Sequence, residues 1–168
     1  MTQIGSPVTA QRERTPRRMS YEEFLNWPHE NEHVEWVNGE IVDMPPISNE
    51  HTQVGRFLIR LLSDFIEIKK LGTVCYDPFQ MKTSPDLPGR APDLFFVANA
   101  NFARLKKTCL EGPADLVVEI ISPDSRAPDR GEKFYEYQQG GVREFWLIDP
   151  LRKQAEFYLP DLAGVYKP

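Results

Sequence analysis

The chain has 168 residues, enough for one domain with a real hydrophobic core. A formal charge of −5 excludes a uniformly basic nucleic-acid-binding surface, so any such contact needs a local basic patch or a bridging metal. No apolar run approaches the roughly 18 residues of a membrane span, and two cysteines are too few for a disulfide scaffold or a zinc cluster. With no secretory pattern at the N-terminus, Cys75 and Cys109 read as ordinary thiols of a reducing cytoplasm.

From the N-terminus, residues 1–18 carry Arg12, Arg14, Arg17 and Arg18 without apolar periodicity, which predicts a flexible basic tail ahead of one domain over 19–168. Met19 is an alternative start. Ser20-Tyr21-Glu22-Glu23 is a capping-box pattern and opens a short helix that ends before Pro28. Asn38-Gly39 lies between two short alternating runs, His33–Val37 and Glu40–Met44, and predicts a β-hairpin. A helix follows over Asn49–Lys70. Val54, Phe57, Leu58, Leu61, Leu62 and Phe65 recur at three- and four-residue steps and define its expected buried face. Glu50 and His51 fall in the first turn, where a lone His reads as a capping or packing residue.

Gly72 ends that helix, and strands are expected near Thr73–Tyr76 and Phe79–Lys82. The loop Ser84–Arg90 is turn chemistry. Then come two apolar strands with an acid on each. Ala91-Pro92-Asp93-Leu94-Phe95-Phe96-Val97 has its carboxylate at the mouth, and Ala114–Pro123 has Glu119 inside a nearly continuous apolar run. A carboxylate so placed needs a metal, a cation or a hydrogen-bond donor. Two carboxylates on adjacent strands would suit Mg²⁺, which takes oxygen ligands and needs only one or two acids. The alternative makes Asp93 a turn residue and Glu119 half of a buried ion pair.

Between these strands, Phe102 and Leu105 give a short helical turn an apolar side. Its Arg104, Lys106 and Lys107 form a solvated face by default and are also candidate phosphate contacts, as is Arg90 from the preceding loop. Beyond Pro123, Asp129 is placed to cap a helix through about Gln139, which Gly140-Gly141 stops. Lys133 shares a face of that helix with Asp129 and Tyr137, so an exposed ion pair with Asp129 is one account of it. Strands over Glu144–Asp149 and Gln154–Leu159 close the pattern.

Pro92-Asp93 followed by Glu119-Ile120-Ile121, in a helix–strands–helix–strand order, resembles the PD-(D/E)XK nuclease superfamily, and more narrowly its Uma-type restriction endonuclease family. The resemblance spans roughly Met19 to Tyr166. It rests on Glu35–Glu40, Ser48 with His51, Pro92–Leu94, Pro113–Pro123, Asp129 with Lys133 and Tyr137, and Gly141–Pro150. It implies an α/β fold of the restriction-endonuclease type: a mixed sheet flanked by helices, with an extra N-terminal hairpin. It also implies Mg²⁺-dependent hydrolysis of DNA, with Mn²⁺ as a substitute. Asp93, Glu119 and the Ile120 carbonyl would hold the metal, and Glu35 and His51 would be accessory.

Two departures stand out. Ile121 occupies the place of the superfamily's lysine, so the resemblance transfers that role to Lys133. Relatives usually run past the position of Pro168, so a closing strand or tail is expected beyond it. Assembly as a homodimer is also an expectation of the resemblance. The rival functions are a non-catalytic nucleic-acid or protein-binding module, or a hydrolase of RNA or another phosphoester.

Overall fold

The computed structural model describes residues 17–28, 33–122 and 131–168. Local signals act first. Ser20 accepts from the Glu23 N–H while the Glu23 carboxylate accepts from the Ser20 N–H, and this reciprocal cap opens α1 (Tyr21–Asn26). Asn38 and Gly39 both take positive φ, as a two-residue hairpin turn requires, and join β1 (Val34–Val37) to β2 (Glu40–Asp43). Ser48 caps α2 (Asn49–Lys69) through the His51 N–H, and Lys70 ends it in the left-handed region.

The remaining elements are β3 (Gly72–Tyr76), β4 (Gln80–Lys82), β5 (Gly89–Arg90), β6 (Leu94–Ala98) and a 3-10 turn over Asn99–Arg104. Then follow β7 (Cys109–Glu111), β8 (Leu116–Ile120), α3 (Glu132–Gly140), β9 (Phe145–Asp149), β10 (Gln154–Pro160) and β11 (Tyr166–Lys167). Where the sequence suggests one mixed sheet, the chain forms two. A five-stranded sheet runs β2-β1-β5-β4-β7 and a six-stranded sheet runs β11-β10-β9-β8-β6-β3. Each is antiparallel apart from one parallel pair, β4 with β7 and β8 with β9.

The two faces of the six-stranded sheet bury different partners. On one, Leu94, Leu116, Val118 and Ile120 pack beneath Leu58, Leu62 and Ile66 of α2. On the other, Phe95, Val117, Phe145 and Leu147 meet Tyr137 of α3 together with Met81 and Leu110 of the five-stranded sheet. Helix α3 is therefore held between the sheets. Its last residue, Gly140, lies so close to Thr83 that a Cβ would come within 2.3 Å of the Thr83 hydroxyl oxygen, so only glycine fits there.

Three expectations change. The basic tail does not extend to Arg18: the Ile41 N–H donates to the Arg17 carbonyl, and the Arg18 side chain pairs with Glu40. Residues 1–16 lie outside the described residues, as does the expected cap Asp129. The loop ending in Arg90 closes into β5, because Gly89 tucks under the Tyr21 ring and pairs with Trp36. Of the apolar positions assigned to the buried face of α2, Phe57, Leu61 and Phe65 are exposed. The apolar arc of that helix is wider than the strip the sheet covers.

Candidate active site

Pairing of β6 with β8 sets the centre of the site. Leu94 lies opposite Val118 in antiparallel register, so Asp93, one residue before β6, comes level with Glu119. Antiparallel neighbours at opposed positions present their side chains on one face. The Ile120 N–H donates to Asp93 Oδ2 at 2.6 Å, and Nε2 of His51, in the first turn of α2, is 3.0 Å from Asp93 Oδ1. The strand and the helix thus hold the carboxylate from two sides.

Glu119 is almost wholly buried and meets α3. Its Oε1 accepts from the Tyr137 hydroxyl at 2.6 Å, and its Oε2 accepts from Lys133 Nζ at 3.2 Å. The same Nζ is 3.2 Å from Oε1 of Glu35 on β1. Lys133 is 2% exposed and bridges carboxylates of the two sheets, so the account of it as a solvated surface lysine does not hold.

A second cation extends this ladder. Arg90 donates through Nη1 to Glu35 Oε2 at 2.9 Å and makes a bidentate pair with Glu136, both bonds 2.8 Å. The Ala91 N–H also donates to Glu35. Burial is the largest influence on Glu35 and would raise its pKa. The charges of Lys133 and Arg90, with the hydrogen bonds from Arg90 and Ala91, together outweigh it and hold the carboxyl below its usual range. Burial pushes the Tyr137 phenol well above its ordinary value, and the charges of Glu119 and Glu35 add to the rise. Tyr137 therefore remains a donor.

A small pocket opens onto this ladder, lined by Asp93, Glu119, Lys133, His51, Ile120 and Ser122 among others. Its free volume of about 30 Å³ suits an ion and water rather than a nucleobase. No group of three His, Cys, Asp or Glu side chains among the described residues makes a metal site. A hard cation at this pocket would instead take the Asp93 and Glu119 oxygens, the Ile120 carbonyl and water. Mg²⁺ commonly uses such a donor set, and the all-oxygen chemistry of the residues fits it. Beside the pocket, His33 Nε2 lies 3.1 Å from the Asp77 carboxylate, whose pKa is raised chiefly by burial against the opposing charge of His33.

The expected phosphate contacts divide. Arg90 is not one: it turns inward and is taken up by Glu35 and Glu136, the latter on a helix 46 residues away in sequence. Arg104 donates to the Pro113 carbonyl, before the start of β8 and away from the pocket. Lys106 is tied to Ala103 and Glu111, and Lys107 is exposed beside Tyr76 and Asp77. Sequence reading missed Arg56 and Arg60. They lie on an exposed side of α2, and their i, i+4 spacing carried the signal.

With this geometry in view, comparison with known proteins is specific. The family model Uma2, described as "Putative restriction endonuclease", matches residues 21–168. The chain belongs to the Uma2 family. Among solved structures, it is similar to a crystal structure of a "putative nuclease belonging to DUF820" from Anabaena variabilis. The TM-score is 0.65 at 17% identity, over 85% of this chain and 86% of that one, a likeness of fold. A search of curated proteins finds no match. The Uma2 match takes in Glu35, Asp93, Glu119 and Lys133.

Proposed function

We propose that this Uma2 protein is a metal-dependent nuclease that hydrolyses phosphodiester bonds of DNA. One observation carries the reading: two carboxylates level on paired strands, Asp93 and Glu119, border a small polar pocket together with a buried lysine. A divalent cation bound there would lower the pKa of a coordinated water and neutralise charge on the phosphate. The chain's own residues do the rest. Asp93 and Glu119 supply oxygens on one side of the pocket. His51 and the Ile120 N–H fix the Asp93 carboxylate, and the Tyr137 hydroxyl fixes Glu119 through Oε1. Lys133, held between Glu35 and Glu119, orients the attacking water and offsets charge that develops on the phosphate.

Plasmid nicking in Mg²⁺ tests this reading. Glu119→Gln and Lys133→Met, each confirmed folded by near-ultraviolet circular dichroism, are expected to lose about a hundredfold or more. Near-parental nicking by Lys133→Met beside an inactive Glu119→Gln would remove Lys133 from the chemistry. A specific observation favours a second reading, a binding module without turnover: both Glu119 oxygens already have protein donors, so the carboxylate is satisfied without a metal. A parent protein that binds nucleic acid and never nicks it would decide for that reading.

A further inference from the structure

Beyond the pocket, a groove of about 330 Å³ continues between α2 and the end of β3. His51, Asp93, Tyr76, Ile59, Arg56 and Arg60 line it. At its inner end Asp93 pairs with His51 and the neighbouring Asp77 pairs with His33. Its outer end is basic. Arg56 and Arg60 are both exposed and make no ion pair among the described residues, although Asp64 lies one turn beyond Arg60. Tyr76 is 55% exposed, and its ring stacks on no other among the described residues. Other exposed cations, Lys107 and Lys153 among them, also make no ion pair among the described residues; this place differs in setting two guanidiniums and an exposed ring in one groove.

We propose that this groove binds a single nucleic-acid strand, with consecutive phosphates on Arg56 and Arg60 and a base stacked on Tyr76, leading the strand into the Asp93–Glu119 pocket. The proposal rests on the nuclease reading for its direction and on the groove for its ligand. Four helical residues separate Arg56 from Arg60, a rise of about 6 Å, on the scale of the step between phosphates of one strand. Guanidinium forks suit phosphate oxygens, and an aromatic face accepts any base. The groove has the volume of a nucleotide-sized pocket rather than of a duplex. Its basic end also supplies the local patch that a chain of charge −5 requires.

Fluorescence anisotropy in EDTA tests binding apart from turnover, with a labelled oligodeoxythymidylate and a duplex of equal length. The single strand is expected to bind more tightly. The double variant Arg56→Gln with Arg60→Gln should weaken it about tenfold or more, and should reduce the slope of log K against log salt by about 1.4, two phosphates' worth for a single strand. Tyr76→Ala should weaken binding about fivefold or more at an unchanged slope. Arg143→Gln, an exposed arginine at the other end of the sheet, should change neither. Equal affinity and slope in parent and double variant overturn the proposal, as do a preference for duplex that Tyr76→Ala leaves untouched, or no binding at all. A protein that binds in the expected way and never nicks overturns the nuclease reading alone. One that nicks at the parental rate without Arg56 and Arg60 overturns the groove alone.

Discussion

Two charged regions meet at Asp93 and treat their charges in opposite ways. On the α3 side, Glu119, Lys133, Glu35, Arg90 and Glu136 form a sealed ladder in which every step is a hydrogen bond or ion pair and four of the five groups are nearly inaccessible. On the α2 side, Arg56 and Arg60 stand in the open beside an exposed ring. Charges sealed in a low-dielectric interior must be matched there, and their mutual positions are then fixed to within the length of a hydrogen bond. Charges left in water cost little to keep and can be matched by something else. The difference separates a ladder of fixed geometry, which borders the small pocket at Glu119 and Lys133, from a flank left open to solvent.

Removing Lys133 should break the sealed side most severely. Lys133→Met would leave Glu35 and Glu119 buried without the cation between them, at a cost of about 3–5 kcal/mol by urea unfolding. Adding Glu35→Gln should restore part of the loss, because it removes one of the two stranded charges. A loss below about 1 kcal/mol would mean that the ladder is far wetter than its geometry implies.

A gentler probe is pH. The folded-state pKa of Glu35 lies below its unfolded value, so the stabilisation it brings is complete above the ordinary glutamate pKa of about 4.3 and is lost as pH falls through the lowered folded value. Glu35→Gln should therefore flatten the acid limb of stability against pH by up to about 1.4 kcal/mol per unit below that point. Urea midpoints taken between neutral and acid pH measure it; parallel acid limbs would contradict the lowered pKa.

The open side should hardly respond. Replacing Arg56 and Arg60 by Gln is expected to shift stability by no more than about 0.5 kcal/mol, since both are exposed and unpaired among the described residues. A larger loss would place them in the structural framework and end the contrast with the ladder.

How much of this could be read from the chain depends on how local each cause is. The Ser20–Glu23 cap, the Asn38-Gly39 turn and the long helix after Ser48 are decided within a few residues, and each lies close to where its pattern puts it. Asp93 and Glu119 were legible because each interrupts or borders an apolar run. Arg90 was not. Its neighbours suggest an exposed turn, whereas Glu35 and Glu136, 55 and 46 residues distant, draw it inward. The second sheet was hidden for the same reason: β5 has two residues and β7 three, too short for a periodic signal, and both exist because distant strands pair with them. The flank bearing Phe57, Leu61 and Phe65 misled in the other direction, because periodicity gives the width of an apolar arc but not how much of it the sheet covers.

The wedging of α3 between the sheets has a consequence for how the chain comes apart. Gly140 brings the helix hard against Thr83, just past β4 of one sheet, while Lys133 and Tyr137 tie its other turns to Glu119 of the other. If either sheet swung open alone, it would leave half an ion pair behind in a partly dry interior, so the partial excursion costs nearly as much as the complete one. Amides of β1 and β8, far apart in sequence and in different sheets, would then exchange with solvent as one class. Five strands and six would behave as a single cooperative unit, with α3 as the piece that lets neither leave first.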